Sequence, residues 1–286
     1  MTRLACRIKR PRMRSTSVVF SSPHSGRAYP EAFLDRAVLD ETEIRSSEDA
    51  FVDELFGAAQ DVGAPLIYAS APRAYVDLNR APDELDPALI QGVRRSGHNP
   101  RIASGLGVIP RVVANGRPIY RGKISREDAQ ARLDTVWHPY HRGLQTLLDE
   151  SRALFGEAIL VDCHSMPHEA LDGISPPGMP RPEVVLGDRF GAAASEAVLT
   201  RIELAFQDAG LRVVRNMPFA GAYIVQTYGR PSRQQYAVQI EIDRALYMDE
   251  RTITPNADFE GFQALMTRIV SDIADIGRPE QRVAAE

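Results

Sequence analysis

Cysteine is nearly absent from this chain, with only Cys6 and Cys163 among 286 residues. The two sit in unlike contexts and make no disulfide framework, which excludes a bridge-stapled secreted scaffold and fits a reducing cytoplasm. Long apolar runs are missing too. None approaches the ~20 residues that a bilayer-spanning helix needs, so no membrane partner is expected. Charge of one sign is scarce as well: the formal net charge is −4, and the broad basic footprint of a nucleic-acid binder is lacking. Neither an internal repeat nor a low-complexity linker occurs, which removes solenoids and strings of modules. The single basic cluster, "TRLACRIKRPRMRSTS" (2–17), lacks the apolar stretch of a signal peptide. Residues 1–16 therefore read as a flexible basic tail, and 17–286 as one domain.

What is present is an ordinary soluble composition, 44% hydrophobic and 25% charged, long enough to bury a sizeable core. Short β-rich runs recur at 17–22, 64–70, 74–78, 158–163, 183–187, 211–216, 222–228 and 236–242. Several are continuously apolar, as strands covered on both faces should be. Helical patterns alternate with them at 46–63, 125–156, 190–210 and 256–277. The second opens on a capping pattern, Ser125 with Asp128, and Pro139 should kink or divide it. Strands alternating with helices predict an α/β domain with a largely parallel sheet. The Pro- and Gly-rich stretch 172–182 reads as a long functional loop. Nothing in the pattern fixes an oligomeric state.

In open α/β sheets ligands bind beyond the carboxyl ends of the strands, so polar residues there are the candidates. His24 follows the first strand in "VVFSSPHSG", Asn79 and Arg80 follow "YVDL", His164 ends "AILVDC", and Glu241 lies in "VQIEID". Two imidazoles and one carboxylate make a three-ligand metal set that leaves a position open for water. The acidic member falls in "SSEDAF", as Glu48 or Asp49, and Asp162 is placed to orient an imidazole. His98, His138, His141 and His168 read as hydrogen-bonded loop or helix residues. A serine or cysteine hydrolase built on Ser25 or Cys163 is disfavoured. Adjacent strand residues point to opposite faces, and no G-x-S-x-G elbow is present.

Seven ordered segments, "SSPHSG", "EDAFVDELF", "AYVDLNRAPDE", "GVIP", "VDCHSM", "GAYIVQTYGRP" and "AVQIEIDRALYMDE", resemble the N-formylglutamate amidohydrolase (deformylase) family from about residue 17 to 275. That family is related to zinc carboxypeptidases and aspartoacylase-like enzymes. The resemblance implies a mixed, mostly parallel sheet with helices on both faces, and a zinc-dependent amidohydrolase acting on a small anionic N-acyl amino acid in histidine breakdown. It also implies His24 and His164 as zinc ligands, with Asp49 preferred to Glu48 as the third, and iron or another divalent ion as the alternative metal. By the same resemblance Glu241 is the general base, Asn79 and Arg80 grip the substrate carboxylate, and Arg230 and Tyr223 of "GAYIVQTYGRP" are further substrate-binding candidates. "GAY" stands where Gly-Gly-Tyr is more usual. Alternatives from the same resemblance are a deacylase of another N-acyl amino acid, a carboxypeptidase-like hydrolase, and a catalytically silent metal- or metabolite-binding relative.

Overall fold

A computed structural model describes residues 5–94, 99–174, 178 and 180–279. Its centre is a seven-stranded sheet of β1 (Cys6–Lys9), β2 (Val18–Ser22), β3 (Leu66–Ala69), β4 (Ala158–Met166), β5 (Val184–Gly187), β6 (Val213–Arg215) and β7 (Gln235–Asp243). The spatial order is β1-β3-β2-β4-β7-β5-β6. Strands β3, β2, β4 and β7 run parallel. On one edge β1 joins antiparallel to β3, and on the other β5 joins antiparallel to β7 and carries β6 parallel to it. A separate ribbon pairs β8 (Met248–Asp249) with β9 (Thr254–Pro255). The expected mixed, mostly parallel α/β sheet is what the chain forms.

The helices are α1 (Glu31–Leu34), α2 (Val52–Leu55), α3 (Pro100–Ala103), α4 (Arg126–Arg132), α5 (His138–Phe155), α6 (Glu196–Asp208), α7 (Tyr223–Tyr228) and α8 (Phe259–Ile276). Strands β2, β4 and β5 are buried along their whole length, because helices cover both faces. On one face Tyr140, Leu144, Leu147 and Leu148 of α5 pack with Val19, Ile67, Leu160 and Ala237. On the other, α6 and α8 join Val18, Phe20, Val161, Cys163 and Ile240. Strand alternation puts Asp162 and His164 of β4, and Gln239 and Glu241 of β7, on the α5 face. Cys163 points the other way, into the core beneath α8, as the alternation argument expected. Ser125 accepts from the amide of Asp128 and starts α4. Pro139 lacks an N–H for the helical ladder, and the division it requires is a wide turn over Leu133–Trp137 before α5 begins.

Four local expectations differ from the structure. The basic tail is not free along its length: Cys6–Lys9 pairs with β3, Cys6 and Ile8 turn inward between Arg7 and Lys9, and Arg10 and Arg14 both bond Glu150 of α5. The alternating "AYVDL" is not a strand. Its inward residues Ala74, Val76 and Leu78 are buried, but its amides bond the Pro72 and Val108 carbonyls. The β-rich "AYIVQTY" is helix α7, since Ile224, Val225 and Tyr228 bury together on one helical face. Residues 46–63 yield only α2 and a 3₁₀ segment Gly57–Val62 rather than one long helix. Of the 172–182 stretch, residues 175–177 and 179 lie outside the described residues, as does His98.

Candidate active site

The carboxyl ends of β2, β4 and β7 open into a cavity of about 580 Å³. After β2 the chain turns at Pro23, presents His24, and runs on so close to β3 that a Cβ on Gly26 would overlap the Ala71 carbonyl. Only glycine fits there, which explains the residue that follows "PHS". The His24 carbonyl accepts from the amide of Asp49, drawing the segment before α2 alongside. His164 sits in β4 directly opposite Glu241 of β7.

His24, Asp49 and His164 are all buried, and their donor atoms lie within 4.8 Å of one another. Asp49 Oδ2 is 2.9 Å from His164 Nδ1 and 3.4 Å from His24 Nδ1. The far nitrogens are both held by carboxylates: His24 Nε2 donates to Asp77 Oδ1 at 2.8 Å, and His164 Nε2 to Asp162 Oδ2 at 3.0 Å. That pairing orients each ring so that its Nδ1 faces Asp49. His24 Nδ1 has no hydrogen-bond partner among the described residues. A buried polar atom left unpaired is costly, and two imidazole nitrogens with one carboxylate oxygen are the donor set that a divalent transition metal takes. The residues fit such an ion.

The surrounding charges are organised around this triad. Arg244 donates to Asp49 Oδ1 at 3.0 Å and to Ser165 Oγ at 3.2 Å, while Arg73 donates to Asp77 Oδ2 at 3.1 Å. Burial opposes ionisation of Asp49, but the adjoining His164 and His24 rings bring it well below the usual carboxylate range. Burial likewise opposes ionisation of Asp77, and the charges of Arg73, His24 and Arg80 outweigh it. Burial instead dominates at Glu241, pushing its carboxyl up to about 7 against the charge of His164. A carboxyl titrating near neutrality suits proton transfer. Gln239 donates to Glu241 Oε1 at 2.8 Å and accepts from the amide of Ala222 at 3.0 Å, which fixes its orientation.

Asn79 and Arg80 also border the cavity. Both ends of the Asn79 amide are engaged: Oδ1 accepts from Ile224 N at 2.8 Å, and Nδ2 reaches towards Asp162. Arg80 donates to the carbonyls of Leu106 and Asn79. Three other candidates lie elsewhere. Glu48 turns away from the triad, accepting from Tyr29 and Arg45, so the acid between the imidazoles is Asp49. Arg230 is exposed and donates to the Gln226 and Gly229 carbonyls at the end of α7. Tyr223 packs against the rings of Trp137 and His141 and does not line the cavity. In "GAY" the left-handed residue is Gly221, φ 101°, whereas Ala222 takes φ −107° at no steric cost. His141, driven down to about 3 by burial, bonds Tyr228 and the Leu78 carbonyl. His168 bonds Asp243, outside the cavity. Sequence reasoning missed Arg73, Asp77, Gln239 and Arg101 as lining residues. Arg244 lines the cavity as well. The i, i+4 pair Arg73 and Asp77 in "RAYVDLNR" was a readable signal.

The sequence profile of N-formylglutamate amidohydrolase matches residues 16–248. The chain belongs to the N-formylglutamate amidohydrolase family. It is 31% identical over 270 residues to the N-formylglutamate deformylase of Pseudomonas aeruginosa, covering 91% of this chain and 94% of that one. The N-formylglutamate deformylase of Pseudomonas putida is 30% identical over 240 residues, 82% of each chain. The crystal structure of the N-formylglutamate amidohydrolase of Ralstonia eutropha JMP134 superposes with a TM-score of 0.89 at 32% identity, covering 96% and 98% of the two chains. Atu2144 of Agrobacterium tumefaciens, at 17% identity and a TM-score of 0.63, shares the fold.

Proposed function

We propose that this chain hydrolyses the formyl amide of N-formyl-L-glutamate to formate and L-glutamate, in a cavity where His24, Asp49 and His164 hold one zinc ion. The observation that carries the reading is the buried triad with its unpartnered His24 Nδ1. An ion bound by these three residues supplies Lewis acidity, which polarises an amide carbonyl and acidifies water towards neutrality.

The chain's own groups do the rest. Glu241 takes a proton from the attacking water as its oxygen bonds to the formyl carbon. The same carboxyl then gives that proton to the glutamate nitrogen as the C–N bond breaks, so one residue serves as base and then acid. Gln239 holds the Glu241 carboxylate through Oε1 and leaves Oε2 for the water. Arg80 offers its guanidinium to the α-carboxylate, a pairing in which arginine's fixed fork outperforms a point charge. Asn79 acts through others, tying α7 to the bed on which Asp162 holds His164. Trp137 donates to the Arg80 carbonyl at 3.0 Å and steadies that backbone.

The test is metal analysis of the purified protein combined with an assay of formate release. One equivalent of zinc, activity lost to a chelator and restored by zinc, supports the proposal. Iron in its place corrects the metal alone. Full turnover in metal-free protein overturns the mechanism, and faster release from acetyl or larger acyl derivatives reassigns the substrate.

A further inference from the structure

Four arginines border the cavity, and three already have partners. Arg73 is bonded to Asp77, Arg244 to Asp49 and Ser165, and Arg80 to two backbone carbonyls. The guanidinium of Arg101 has no acceptor among the described residues. It stands at the exposed rim of the cavity, while Arg80 is buried. The two cations are close enough to repel: burial lowers the affinity of Arg80 for its proton, and the charges of Arg73 and Arg101 add to that. Like charges gathered at a cavity, with one guanidinium free of any acceptor among the described residues, form a receptor for an anion.

The fold holds this pair in place. Asn99 caps α3 by accepting from the amide of Arg101 at 3.0 Å, and its own amide donates to Glu84. The Arg101 carbonyl accepts from Leu106 N at 2.8 Å, and the Leu106 carbonyl accepts from Arg80 Nε at 3.1 Å. One residue thus bridges the two arginines, and Gly105, at φ 81°, makes the turn that allows it.

We infer that Arg101 is the specificity-determining residue that binds the side-chain carboxylate of the substrate, so that the cavity selects N-formyl amino acids carrying two carboxylates. The inference rests on the deformylase reading above. With the amide at the buried triad and the α-carboxylate on Arg80, the second carboxylate meets the remaining free cation on the same wall. A charge-assisted bidentate contact rejects the isosteric neutral side chain far more strongly than a shape contact does.

The experiment compares N-formylglutamate with N-formylglutamine in the zinc-loaded wild type, Arg101→Gln and Arg101→Lys. The expected result is a fall of at least tenfold in the Glu-to-Gln ratio of kcat/KM in Arg101→Gln, carried by KM, with Arg101→Lys intermediate. An unchanged ratio, whether both rates fall together or neither moves, overturns the inference. Should the wild type hydrolyse neither compound, the deformylase reading fails by itself, and calorimetric binding of L-glutamate against L-glutamine decides. A selective loss of glutamate affinity of at least tenfold in Arg101→Gln upholds the role of Arg101, and equal responses refute it.

Discussion

Replacing Glu241 by Gln removes the proton acceptor while keeping the shape and the bond from Gln239. A positioned general base contributes about 10²- to 10⁴-fold, so kcat should fall by that factor while the zinc content stays at the wild-type level. The same substitution has a second, independent signature. Burial lifts the Glu241 carboxyl from its ordinary 4.5 to about 7. A group whose folded pKa is raised contributes stability below its unfolded pKa and loses that contribution as pH rises through the folded value. In metal-free protein at pH 8 the ionised carboxylate therefore costs about 3 kcal/mol, from about 1.4 kcal/mol per pKa unit. Glutamine carries no such cost. Urea unfolding of chelator-treated protein should find Glu241→Gln more stable than wild type by up to about 3 kcal/mol at pH 8, with most of the gain gone at pH 5. A variant that turns over at near wild-type rate refutes the assignment of the base. A variant less stable than wild type at pH 8 refutes the electrostatic argument.

Asp77→Asn should weaken zinc binding by about 10- to 100-fold, because the amide no longer fixes the His24 tautomer; a competitive chelator titration reads this directly. Arg80→Ala should raise KM for N-formylglutamate by about tenfold or more and leave KM for neutral formamides little changed, so equal effects on both classes would remove the clamp. Glu48→Gln should retain one equivalent of zinc, whereas Asp49→Asn should lose it, since only Asp49 stands between the two imidazoles. Metal analysis that ranked the two variants the other way would reverse that assignment.

Much of the frame was legible in the chain. Apolar runs marked β2, β4 and β5, because strands covered on both faces need no polar side. The polar residues after β2, in β4 and in β7 named His24, His164 and Glu241. Where reading failed, tertiary contacts had overridden local pattern. The Tyr, Ile, Val and Thr of "AYIVQTY" favour strand, yet the segment is helical, with Asn79 and Gln239 taking the amides at its start. The alternation in "AYVDL" is genuine burial without a neighbouring strand. In "CRIK" the two inward residues are masked by the basic ones between them, so an edge strand looked like a tail.

The sequence by itself determined the class of fold and marked the strands at whose ends His24 and His164 stand, since periodicity and residue type are local properties. Only the tertiary structure put Asp49 rather than Glu48 between the imidazoles, sent Arg230 to the end of a helix, and brought Arg73, Arg101 and Arg244 to the cavity. Neighbouring residues on a turn face different ways, and a cation's partner is whichever acceptor folding places within reach. Neither is written in spacing along the chain.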